Sequence, residues 1–154
     1  MEKEDRRGLQ DRAGLSREKL LENKIRWLRL SFRAGAILDF LAAIQMLFPA
    51  VFAATNGLGD FHPGREYFYA MGMGALLMLG WTVLLLWADR KPLERRGILP
   101  ITVFPVIAGM ILNEGHAVWV SGFLSIGSVI PIWILQMVLS VVFLVSYFRA
   151  GKSG

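Results

Sequence analysis

The sequence predicts an all-α, polytopic membrane bundle of four spanning helices with both termini cytoplasmic. Three observations carry that reading. Of the 154 residues, 55% are hydrophobic and the mean hydropathy is +0.48, above the composition of soluble domains at about 45–50% apolar. Four stretches reach the roughly 20 apolar residues that a bilayer-crossing helix requires: 34–54, 67–88, 97–120 and 126–148. Finally, sixteen of the seventeen lysines and arginines fall on one side of those spans, with Arg65 the exception, which is the positive-inside pattern.

Length alone argues for one domain, divided as a head at 1–15, a basic segment at 16–33 and a four-span domain at 34–150. The head mixes charges with glycine and predicts disorder. From Ser16, which is placed to cap a helix, Leu21, Ile25, Leu28 and Phe32 recur at spacings of three and four. Arg17, Lys19, Lys24, Arg26, Arg29 and Arg33 surround that stripe, with Trp27 at the expected interface. A basic amphipathic helix entering a span anchors on the inner leaflet, and Arg26, Trp27, Arg29 and Arg33 are the anchoring set. Sixteen charges precede the first span, more than a signal peptide carries. The chain has no cysteine for a lipid anchor, and residue 2 is Glu rather than a myristoylated Gly.

Charge is segregated. The inner face sums to +8, the outer rim to −2, and Asp39 contributes the remaining −1 of the net +5. The basic groups lie at membrane depth with acids among them, so they suit anionic inner-leaflet headgroups rather than nucleic acid. Zero cysteine also removes thiol redox chemistry, cysteine zinc sites and iron–sulfur clusters.

An ionisable group inside a span costs about 2.5–3.5 kcal/mol on insertion scales and is a functional candidate by default. Asp39 interrupts the first span, and its helical neighbours Gly35, Ala36, Ala42 and Ala43 are small. Small residues let helices approach, so Asp39 is expected to face the interior, with Thr82 and Thr102 at a depth to hydrogen-bond it. It is either a structural carboxyl tying helices together or a proton- or ligand-handling group. Gln45 and Gln136 fall near the midplane of the first and fourth spans. Pro49, Pro105 and Pro131 leave the carbonyls of Gln45, Ile101 and Gly127 without their helical donors. Freed backbone at that depth needs partners or a wet cavity. In the second span Ala70 and Gly74 form a small-xxx-small contact pair.

The outer rim gathers Asp60, His62, Glu66, Asn113, Glu114 and His116. Histidine with carboxylate can bind zinc or relay protons. His62, Glu66, Glu114 and His116 are nonetheless weak metal candidates, because neither Asp60-Phe-His62 nor Glu114-Gly-His116 has the i, i+4 spacing of a helical two-ligand motif. No Walker loop, nucleophile elbow or His-Glu-x-x-His motif occurs, and no cofactor is implied.

Three groups of residues carry a family resemblance. They are Leu47-Phe48-Pro49 followed by Phe52 and Gly57, the inner loop from Trp87 through Lys91, Pro92 and Arg96 to Gly97, and Ile134-Leu135-Gln136 with Tyr147. On these, residues 30–150 resemble the small bacterial four-helix membrane proteins related to DoxX, and most of all the BphX-like group. The resemblance implies a four-helix integral membrane fold in the cell membrane and brings no assigned reaction or catalytic residues.

Three functions stay open. One is non-enzymatic binding of a small apolar or lipid-like ligand, or of a membrane partner, near Asp39, Gln45 and Gln136. The second is a proton- or ion-coupled transporter using Asp39 and Glu114, with a second copy of the chain supplying further lining. The third is a membrane redox subunit, even a haem protein, using His62 and His116.

Overall fold

The computed structural model describes the backbone of residues 2–151 and the side chains of residues 14, 15 and 17–151. The described residues form five helices and no strand. They are α1 (Glu2–Leu47), α2 (Pro49–Asn56), α3 (Arg65–Asp89), α4 (Ile98–Trp119) and α5 (Ile126–Gly151). Stretches of α1 (Arg17–Leu47), α3, α4 and α5 are long and apolar enough to cross a membrane. The bundle runs up, down, up and down, with α1 packed on α3 and on α5.

Large apolar side chains cover the outside as well as the inside. Leu77 and Leu112 are 72% and 74% exposed, and Ile37, Phe104, Ile134 and Val141 also face outward. In water such a surface marks an interaction site or an aggregation liability. On four helices of spanning length it is the surface of a multi-pass membrane protein.

Helices α3, α4 and α5 lie within a few residues of the apolar stretches 67–88, 97–120 and 126–148, whereas the stretch 34–54 is divided differently. Helix α1 runs from Glu2 to Leu47 as one element, so the basic segment at 16–33 continues directly into the span. Ser16 therefore lies within the helix rather than at its N-cap position. Of the expected stripe, Leu28 and Phe32 are fully buried against protein, while Leu21 is exposed. Pro49 supplies the next break. Its fixed φ suits the first turn of a helix, and α2 begins there. Gly57, at φ 68°, ends α2 in the left-handed conformation that glycine reaches without strain.

Pro105 reshapes α4. It has no N–H to offer the carbonyl of Ile101, and residues 102–107 widen into a π-turn in which the Ala108 N–H reaches back to the Val103 carbonyl. Such a bulge accommodates the proline without ending the helix.

The packed core lies toward the end of the bundle that carries the 90–97 turn. Leu28, Phe32 and Ala36 of α1 meet Leu85 and Ala88 of α3, Leu99, Val103 and Ile107 of α4, and Phe143 and Ala150 of α5. Ser31 and Ser146 share a buried hydrogen bond of 2.8 Å between α1 and α5. At the surface of this basic end Arg33 Nε donates to Asp89 Oδ2 at 2.9 Å. Arg95 lies over the Trp87 ring and donates to the Trp87 carbonyl. Arg149 stands 5.7 Å from the ring centroid of Trp27, one of the expected anchors.

Candidate functional site

Toward the distal end the helices separate around a cavity of about 730 Å³, within the size range of small-molecule sites. Gly35, Thr102 and Phe143 line its lower part. A methyl group added at Gly35 would stand 2.8 Å from Phe143 Cζ and 3.0 Å from Leu85 Cδ1, so only glycine lets α1 close on α3 and α5 there. The walls are apolar, among them Leu38, Ala42, Ile44, Met110, Ile132 and Leu135. Val51, Ala54 and Thr55 of α2 form a further side, and Gly57 lies against Ser128 of α5, where an added Cβ would sit 3.7 Å away.

Three of the residues singled out by sequence, Asp39, Gln45 and Gln136, line this one cavity. Asp39 sits one helical turn beyond Gly35 and faces the interior as expected. The two threonines expected to bond it do not. Thr82 Oγ1 donates to the Met78 carbonyl, and Thr102 Oγ1 donates to the Ile98 carbonyl while accepting from Trp81 Nε1 at 3.2 Å. Both satisfy their hydroxyls on the preceding turn, a common resort of Ser and Thr in helices. Asp39 Oδ2 is left buried with no hydrogen-bond partner among the described residues.

Glu114 is not a rim residue in contact with the histidines. It points between α4 and α5, where its Oε1 accepts from Gln136 Nε2 at 2.9 Å. Glu114 Oε2, Gln136 Oε1 and Trp133 Nε1 are buried without partners among the described residues. His116 is exposed on a shallower groove of about 390 Å³ with Trp119 and Trp133, whose rings lie 5.4 Å apart. His62 and Glu66 are exposed at the distal end. Among the described residues no three His, Asp or Glu gather in a way that could hold a metal ion.

Sequence reasoning missed two features. One is the Gln136–Glu114 pair. Its signal was available, because the two residues stand eleven positions either side of Ser125 in a helical hairpin. The other is an aromatic cluster at the distal end. Phe52 of α2, Phe61 of the following loop and Tyr67 of α3 pack in tilted and edge-to-face contacts with centroids 5.1–5.5 Å apart, and Phe123 of the α4–α5 loop lies 6.4 Å from Phe61. It pins α2 across the distal end of the cavity.

Compared with family models, with curated proteins and with solved structures, the chain matches none. The resemblance to the BphX-like group therefore rests on the residues quoted for it alone.

Proposed function

We propose that this protein lies in the cell membrane with both termini cytoplasmic and binds a small apolar or lipid-like molecule in the cavity between α1, α2, α4 and α5. The observation that carries the proposal is the cavity itself. It is walled by aliphatic side chains, with a few polar groups confined to Asp39, Gln45, Thr55, Thr102, Ser128 and Gln136. A largely apolar cleft with a small set of polar groups is the usual build of a ligand site. The sorting of sixteen basic residues to one side supports the orientation, and those residues would meet anionic inner-leaflet headgroups.

Native mass spectrometry of the detergent-purified chain tests the binding role. The wild-type protein is expected to carry a co-purifying apolar molecule. Ala42→Trp, which puts an indole into the cavity, is expected to lose it while keeping its helix content. A wild-type chain that arrives bare, and takes up neither added alkane nor long-chain alcohol, sinks the reading.

A further inference from the structure

Two contacts frame a gap in the wall of the bundle. Nearer the basic end α1 closes on α5 at Gly35, where an added methyl group would stand 2.8 Å from Phe143 Cζ. At the distal end α2 closes on α5 at Gly57, where an added Cβ would stand 3.7 Å from Ser128 Cβ. Ser128 and Phe143 are fifteen positions apart on α5, about 22 Å along the helix at 1.5 Å per residue. Between these two contacts the cavity comes to the surface. Leu41 of α1, Val51 of α2 and Leu135 of α5 all line it, and they are 54%, 40% and 48% exposed. Pro131, another lining residue on α5, is exposed as well.

The gap lies at hydrocarbon depth. Leu135 stands nine positions from Ile126 and sixteen from Gly151, the two ends of a helix long and apolar enough to span a membrane. Its rims, Leu41, Val51, Pro131 and Leu135, carry no charge. Ala54, Thr55 and Gly57 also line the cavity and are exposed, so the distal corner of the gap reaches the interfacial zone. Over the end of the cavity itself lies α2, held there by the contacts of Phe52 with Phe61 and Tyr67. Apolar cavities stay dry, so water is a poor filling for a space with aliphatic walls. An alkyl chain entering from the side supplies the dispersion contacts that an empty space forfeits.

Resting on the binding role proposed above, we infer that the cavity is loaded sideways from the bilayer, through a window between α1–α2 on one side and α5 on the other. Its occupant is a linear hydrocarbon chain already resident in the membrane, such as the acyl tail of a lipid. The tail passes between the apolar rims, and a polar head stays at the distal corner beside Thr55. A charged head does not follow the tail inward, because charge is costly at that depth.

Photolabelling of the full chain in phosphatidylcholine vesicles tests this. The probe is a phosphatidylcholine with a diazirine midway along one acyl chain, and peptide mass spectrometry locates the adducts. Leu112 and Ile134 face outward, meet lipid in any case and serve as the reference. Val106 and Met110 decide the matter, since they line the cavity from α4, which takes no part in the frame. Adducts are expected on both groups in the wild-type protein. Leu135→Trp and Val51→Trp each put an indole on one rim of the window. Both are expected to lose the adducts on the α4 wall while keeping those at Leu112 and Ile134. The chain has no cysteine, so Met110→Cys gives a single thiol, expected to resist a charged methanethiosulfonate added from the water.

No adduct at Val106 or Met110, in a chain that still carries an apolar molecule by native mass spectrometry, overturns the window and leaves the binding role standing. No such adduct and a bare chain overturn both. Adducts on the α4 wall that survive in both tryptophan variants place the entrance elsewhere and overturn the window, as does ready reaction of Met110→Cys from the water. Should the tryptophan variants fail to fold, the wild-type adducts and the reactivity of that thiol decide.

Discussion

At the basic end of the bundle Leu28, Phe32, Leu85, Leu99 and Phe143 have no exposed surface at all, whereas toward the distal end the same helices stand apart around about 730 Å³. The difference comes from side chains and backbone breaks. The basic half interleaves large apolar residues with Gly35, Ala36 and Ala88, which let the helices close. The distal half is bordered by Pro49, Pro105 and Pro131, and residues that line it, Asp39 and Gln136, each keep a buried oxygen with no hydrogen-bond partner among the described residues. One half holds the helices together, and the other holds open a space that packing would otherwise fill. Stability and binding are separated along the bundle axis.

Thermal unfolding of variants in detergent can break that comparison. Phe143→Ala removes the largest side chain common to the core and the lower cavity, and should cost about 3–5 kcal/mol. A smaller loss would mean the basic half is less closely packed than its burial implies. Gly35→Val should cost about 1–3 kcal/mol by overpacking against Phe143 and Leu85.

Glu114→Leu tests the exception within the hollow half. It strips the Gln136 amide of its acceptor, while also removing an unpartnered oxygen, and should cost about 1 kcal/mol. A double-mutant cycle on Ser31→Ala and Ser146→Ala should return a coupling of about 0.6 kcal/mol, typical of hydrogen bonds between membrane helices. Leu135→Ala, in the cavity wall and 48% exposed, should change stability by less than about 0.5 kcal/mol. An effect there as large as that of Phe143→Ala would erase the distinction between the halves.

The four spans were legible in the sequence, because a bilayer-length apolar run is a strong one-dimensional signal. So was the gathering of Asp39, Gln45 and Gln136, since polar side chains in such runs turn inward together. What the runs do not encode is register between helices. Thr82 and Thr102 stand at a suitable depth for Asp39, but each bonds its own helix, and depth alone does not distinguish the two outcomes. Glu114 reads as a rim residue by its neighbours Asn113 and His116, yet its helical face turns it to Gln136. The apolar run 34–54 extends over most of α2, because hydropathy does not mark the break that Pro49 makes between two helices.

Helix α1 has a mechanical consequence. Its 46 residues make a rod of about 69 Å at 1.5 Å per residue, more than twice the roughly 30 Å of a bilayer's hydrocarbon core. The stretch beyond the basic end belongs to the same continuous helix as Asp39 and Gln45. The hydrogen-bonded backbone that carries Asp39 and Gln45 on the cavity thus runs without a break into the segment beyond the basic end.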